Sequence, residues 1–260
     1  MMEAERLRYN MFDGRGIFAP TCRPERGMRG VLFDKDGTLL DFEASWSAVY
    51  RELCLDLASG DTEAAEAMLI AGGLDPVTRR FTSGATLAAG TTVDIVRVWY
   101  PEFSDDEERA MVERIDRVFH DNGIRCSVPV PGLASALADL KGAGLMMGVA
   151  TNDGTAATRA ALSALGLQDF LPHVYGYDSV PHPKPAPDIV HAFCREIDAA
   201  PKDIVVVGDN PHDLQMARSA GAGAAIGVLT GNSGSDDLQP LADAVLTSVV
   251  ELPDWLRARA

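Results

Sequence analysis

The sequence predicts an α/β fold, a doubly wound parallel sheet that carries an inserted all-helical domain. Three observations predict it. Six short apolar runs rich in β-branched residues recur along the 260 residues, helical periodicity separates most of them, and the long stretch after the first run reads as helix throughout.

The runs at 31–34, 145–151, 174–177, 204–208, 224–228 and 244–247 read as buried strands. Helical patterns cover 131–143, 155–165 and 186–197; the first and third have proline at the head, and Gly166 follows the second. Strands alternating with helices of this length form parallel sheets covered on both faces. Between residues 41 and 127 the alternation stops. The segments 44–58, 62–71, 92–99 and 104–122 place apolar residues three and four apart, and the breaks at 72–75 and 82–91 are rich in Gly, Pro and Thr. This is read as a helical cap domain, 41–127, set on a core domain of 28–40 and 128–260 by linkers near 40–43 and 127–131. Residues 1–27 carry no clean period and are expected to be a flexible N-terminal extension, with Met28 as the start of the folded protein and of translation.

Composition narrows the partners. Hydrophobic residues make up 47% of the chain and charged residues 23%, as in ordinary globular proteins. No apolar stretch reaches the roughly 20 residues that cross a bilayer, and the opening MMEAERLRYN lacks the order of a secretory signal. Cys22, Cys54, Cys126 and Cys194 stand far apart without a C-x-x-C pair, which disfavours a zinc site or disulfide framework and fits reduced thiols in a cytoplasmic protein. The net charge is −15, and within 41–130 eight arginines and no lysine face 17 acidic residues. Such a field repels polyanions, so neither a nucleic-acid nor a membrane partner is expected. A small anionic metabolite remains compatible, provided a few cations and a metal concentrate positive charge in one cleft.

The segment Asp34-Lys35-Asp36-Gly37-Thr38-Leu39 directly follows the first apolar run, which places two carboxylates at the carboxyl end of a strand, where open α/β sheets put their ligands. Alone this is an ordinary turn, since Asp-Gly is a common turn pair. What decides is recurrence. Thr151-Asn152-Asp153 ends a second strand, Lys184 stands in the proline-stiffened loop 181–187, and Gly208-Asp209-Asn210-Pro211-His212-Asp213 ends a third strand. Carboxylates, a hydroxyl and a lysine converging on one sheet edge form a metal and phosphoryl site.

In order and spacing these motifs resemble the haloacid dehalogenase-like hydrolase superfamily, most closely its phosphoglycolate-phosphatase-like branch, from about residue 30 to the C-terminus. The resemblance implies a Rossmann-like core with the helical insertion as its cap. It implies Asp34 as nucleophile, Asp36 as general acid/base, Thr151, Asn152 and Lys184 as phosphoryl-binding residues, and Mg²⁺ held by Asp34, Asp209 and the Asp36 backbone carbonyl. Asp213 would orient Lys184 or the metal's waters. The Gly-containing segment 79–86 resembles a cap loop that faces the active site, making Arg80 and Gly84 candidates for substrate contact; a plain interhelical turn with solvated arginines is the alternative. The chain departs from the branch pattern at Lys35, where an apolar residue is common. Its charge is expected either to alter cap closure or to point to solvent.

The residue types also make chemical sense by themselves. A phosphate monoester is a dianion that repels a carboxylate, so a divalent cation with oxygen ligands and a fixed lysine must offset its charge. An aspartyl-phosphate then splits one hard displacement into two easier ones, and a second carboxylate protonates the leaving alcohol and deprotonates the water. Asp36 counts against a haloacid dehalogenase, which has no use for a second carboxylate. The absence of lysine from 36 to 140 counts against a phosphonate hydrolase with a cap Schiff base. A sugar phosphomutase shares the core motifs and stays open. A non-catalytic phosphometabolite-binding protein would be expected to have lost one of Asp34, Asp36, Lys184 or Asp209. The expectation is a Mg²⁺-dependent phosphatase of a small phosphorylated metabolite, first among them 2-phosphoglycolate, working as a monomer or homodimer. His182 and His212 are expected to face solvent or cap a helix.

Overall fold

The computed structural model describes residues 27–259, so the extension expected over 1–27 lies outside the described residues except for Gly27. Strands β1 (Gly30–Phe33), β2 (Met146–Ala150), β3 (His173–Tyr175), β4 (Ile204–Gly208), β5 (Ala224–Val228) and β6 (Ala244–Leu246) pair in parallel in the order β3-β2-β1-β4-β5-β6. Side chains alternate across the sheet as a two-residue period requires. Val31, Phe33, Val205 and Val207 enter one apolar layer, and Leu32, Ile204 and Val206 enter the other.

Helices cover both layers. On the first face, α6 (Leu133–Gly142) packs Leu133, Leu137 and Leu140, and α7 (Thr155–Ala164) adds Leu162. On the second face, α8 (Asp188–Glu196) packs Ile189 and Phe193, and α9 (Pro211–Ala220) packs Leu214 and Ala217. The strand order reverses between β1 and β4. That reversal opens a crevice at the carboxyl ends of the central strands, the place where ligands bind in such sheets.

The helical insertion has an apolar core of its own. Helix α1 (Phe42–Leu57) is capped by the Asp41 carboxylate, which accepts from Ala44 N at 3.0 Å, and it turns Phe42, Trp46, Val49, Tyr50 and Leu53 to one side. Helices α2 (Thr62–Ala71), α3 (Thr86–Ala89), α4 (Thr92–Trp99) and α5 (Asp105–Cys126) close around that stripe with Leu69, Leu87, Ile95 and Phe119. Helix α5 runs past its expected end at 122, and α3 forms inside the segment 82–91, which the composition marks as a break. The two linkers lie side by side. Asp41 N donates to Val128 O at 2.8 Å and Val130 N to Leu39 O at 3.0 Å, so the insertion hangs on a short paired hinge. Among the described residues no helix is long and apolar enough to cross a membrane.

Candidate active site

Asp34 leaves β1 and Asp209 leaves β4, neighbouring strands at the switch point, so their carboxylates meet without any long excursion of the chain. Helix α9 starts at once after β4, and the Asn210–Asp213 capping box brings Asp213 back over the strand end: its Oδ2 accepts from Asn210 N at 3.0 Å. The loop before α8 delivers Lys184. Its Nζ donates to Asp34 Oδ1 at 2.6 Å and to Asp213 Oδ1 at 2.7 Å, with all three side chains buried. Asp209 accepts from Thr38 Oγ1 at 3.3 Å and from Asn232 N at 3.2 Å. Glycine is required around it: a Cβ at Gly231 would stand 1.8 Å from Asp209 Oδ2, and one at Gly37, whose φ is +89°, would stand 2.6 Å away.

Oxygens of Asp34, Asp209 and Asp213 lie within 4.8 Å of one another. Burial pushes the Asp34 carboxyl up to about 6; Lys184 works against that rise and Asp213 adds to it. Burial, then the charges of Asp34 and Asp213, also raise Asp209 well above the carboxylate range. Three buried carboxylates with one lysine, which bonds Asp34 and Asp213 but not Asp209, form an oxygen-rich donor set short of positive charge, which suits a hard divalent cation. Burial alone would lower the Lys184 ammonium, yet Asp213 and Asp34 outweigh it and hold the group above its ordinary value, so it stays charged. Thr151 is buried beside them and lines the cavity, with its Oγ1 accepting from Asp153 N at 3.1 Å.

The family model of haloacid dehalogenase-like hydrolases matches residues 28–221, three quarters of the chain, with Asp34, Thr151, Lys184, Asp209 and Asp213 inside the match. The chain belongs to that family. A Dickeya dadantii protein named "Probable phosphatase IndB" is 33% identical over 80% of this chain and 84% of its own length. A phosphoglycolate phosphatase of Pasteurella multocida is 28% identical over 77% and 85%. The crystal structure of a hydrolase from Pseudomonas syringae superposes with a TM-score of 0.66 over 89% of this chain and 99% of that one, at 22% identity, and so shares the fold. With these relatives, the chain is a phosphoric monoester hydrolase of the haloacid dehalogenase-like family.

The roof of the hydrolase's cavity is built by the cap. Phe42, Trp46 and Tyr50, four residues apart on α1, face it together with the backbone from Leu87 to Gly90. About 30 Å³ remains between cap and core, room for about two water molecules. Two contacts join the cap to the core: Asn152 Nδ2 donates to Ala89 O at 2.8 Å, and Ser83 Oγ bonds Ser233 Oγ at 2.9 Å. Asn152 also accepts from Lys184 N at 3.1 Å and donates to Lys184 O at 3.3 Å. Its side chain thus braces the lysine loop and the cap while lining the cavity.

Arg80 does not reach the cavity. Its carbonyl accepts from Asp75 N at 2.9 Å in a turn at the surface, its side chain is exposed, and it lines neither the inner cavity nor the groove outside it. Gly84 lines that outer groove of about 830 Å³. Arg80→Ala is accordingly expected to leave kcat/KM within about twofold of wild type, measured by phosphate release, as befits a surface substitution. His182 is exposed beside Asp188, whereas His212 is half-buried in the cavity wall, and burial lowers its pKa.

Lys35 neither points to solvent nor packs as a neutral spacer. It is 1% exposed; its Nζ contacts Asp36 Oδ2 and stands 2.8 Å from Asp153 Oδ2. Burial opposes its charge, but Asp153 and Asp36 prevail and raise its pKa. Asp36 Oδ1 accepts from Trp46 Nε1 at 2.7 Å, and burial lifts the Asp36 carboxyl to about 6 against the pull of Lys35. With its carboxylate so engaged, Asp36 offers an ion only its backbone carbonyl. Trp46, Tyr50 and Asp153 escaped the sequence reading as site residues; the visible signal was the four-residue spacing of 42, 46 and 50 at the start of the first cap helix.

Proposed function

We propose that the chain is a Mg²⁺-dependent phosphatase that hydrolyses a small phosphate monoester through an aspartyl-phosphate on Asp34. The observation that carries this reading is the buried triangle of Lys184 between Asp34 and Asp213, set against Asp209 at the strand switch point. Asp34 and Asp209 with the Asp36 carbonyl would hold Mg²⁺, and the bound ion supplies positive charge against the phosphoryl oxygens. Lys184 and the Thr151 hydroxyl orient the phosphoryl group so that an Asp34 oxygen faces phosphorus in line with the ester oxygen. As the Asp34–phosphorus bond forms and the ester bond breaks, Asp36 gives its proton to the leaving alkoxide. It recovers a proton from the water that then cleaves the acyl phosphate. The roof of Trp46, Tyr50 and Leu87 keeps bulk water out while the first step runs.

Among small esters, 2-phosphoglycolate is the first substrate to try, on the strength of the Pasteurella relative. The test is phosphate release from 2-phosphoglycolate, sugar phosphates, nucleotides and p-nitrophenyl phosphate, before and after exhaustive chelation. Chelated protein is expected to lose at least about 99% of its activity and to regain it with Mg²⁺. Full activity without divalent ions would overturn the reading. Conversion of one sugar phosphate into an isomer without phosphate release would assign a mutase instead.

A further inference from the structure

We propose that Lys35 is a positioning residue, holding the Asp36 carboxylate in the orientation that protonates the leaving group; the proposal rests on the phosphatase reading above. Lys35 is among the largest fully buried side chains in the protein, yet it does not line the cavity, whereas Asp36 does. Whatever it contributes to the reaction passes through its neighbours.

Those neighbours form a closed set. The Lys35 ammonium touches Asp36 Oδ2, stands 2.8 Å from Asp153 Oδ2 and lies 5.1 Å from the centre of the Trp46 ring. Trp46 in turn donates its indole N–H to the other Asp36 oxygen at 2.7 Å. Both oxygens of Asp36 are thereby anchored, one by the core and one by the cap, and the carboxylate plane cannot turn without breaking a charge-assisted bond. Through Asp153 the same ammonium ties the loop after β1 to the loop after β2.

Stability does not explain this arrangement. Burying an ammonium costs several kcal/mol, and a well-packed apolar side chain often does as well or better. A lysine placed here needs two carboxylates brought within bonding distance, and one of them is the residue that must face the ester oxygen. Proton transfer demands heavy atoms about 3 Å apart and aligned, and small losses of alignment are felt as large losses of rate. The consequence is specific. Esters of poor leaving groups depend on the acid, whereas a nitrophenolate departs without it.

The experiment compares Lys35→Met with wild type on an alkyl phosphate and on p-nitrophenyl phosphate, both with Mg²⁺. The expected result is a loss of about 30-fold or more in kcat/KM for the alkyl ester, against less than about threefold for the aryl ester, kcat/KM covering the steps up to release of the alcohol and not the later hydrolysis common to both. Equal losses on the two esters, or no loss on either, would overturn the proposal, because a merely structural lysine has no reason to sense the leaving group. Lys35→Met leaves Asp36 and Asp153 unpaired, so the double variant Lys35→Met/Asp153→Asn, with one charge fewer, is measured beside it and is expected to show the same selectivity. Lys35→Arg keeps the cation and is expected to restore part of the alkyl rate. A wild type that releases phosphate from neither ester would refute the phosphatase reading itself, and the role of Lys35 with it.

Discussion

Asp34→Asn is expected to lower turnover by at least about 10⁴-fold, for good and poor leaving groups alike, because every ester needs the nucleophile in the step that breaks its bond. The amide keeps the shape of the carboxylate, so the fold should survive. Burial holds the Asp34 carboxyl at about 6 against an ordinary value of 3.8, and so the folded chain binds that proton more tightly than the unfolded one. The contribution of such a group to stability is greatest below its ordinary value and is lost as pH rises through about 6. At neutral pH the ionised carboxylate is therefore a burden on the metal-free protein, one that Lys184 offsets only in part. The neutral amide of the variant mimics the protonated carboxyl. The metal-free variant is expected to melt no lower than wild type at pH 7, with the difference closing toward pH 4. Phosphate release within about tenfold of wild type, with deamidation excluded by mass spectrometry, would overturn the nucleophile assignment.

Much of this could be read from the chain because the informative residues sit at the ends of apolar runs. A strand that stops at Phe33 and continues Asp34-Lys35-Asp36-Gly37 declares both its length and its cargo, and β2 and β4 end on Thr151 and Asp209 in the same way. Strand order was not legible, since parallel pairing is non-local and nothing near β1 says that β4 lies beside it. The placement of Lys35 was illegible for a sharper reason. A lysine reads as solvated until two carboxylates are brought to it, and one of these, Asp153, arrives from the loop of another strand. The cap loop was open to two readings, an anion contact or a plain turn with solvated arginines. An arginine beside a glycine-containing break suggested an anion clamp at Arg80, but the turn closed by Asp75 N on Arg80 O turns it outward, and the backbone from Leu87 to Gly90 takes the place over the cavity. Asn152 was read as a phosphoryl-binding residue at a strand end, but only the fold reveals that its amide also bonds Lys184 and Ala89.

Lys184→Met is expected to damage both stability and chemistry, and the way it does so separates it from Lys35→Met. Lys184 is 8% exposed and is the counter-ion shared by Asp34 and Asp213, with Asp209 close by. Removing one partner of a buried ion pair costs about 3–5 kcal/mol. In a chain of this size that corresponds to a fall of about 10 °C in melting temperature, measured without metal. On the proposed reading Mg²⁺ would bind the folded cluster and not the unfolded chain, so it should recover part of the loss, and more in the variant than in wild type because Asp34 and Asp213 then lack their shared cation. Turnover is expected to fall by at least about 10³-fold, since a fixed positive charge on the transferring phosphoryl group disappears. That loss, read as kcat/KM, should be the same for alkyl and aryl esters, because Lys184 touches the proposed nucleophile and would meet the phosphoryl group, while Lys35 touches the carboxyl proposed to protonate the leaving group. Lys184→Arg should not rescue it, because a planar fork cannot replace a compact ammonium held 2.6 and 2.7 Å from two carboxylates. An unchanged melting temperature in the metal-free variant would mean that the buried triangle contributes nothing to the fold. A loss confined to alkyl esters would move Lys184 from the phosphoryl group to the leaving group and exchange the roles of the two lysines.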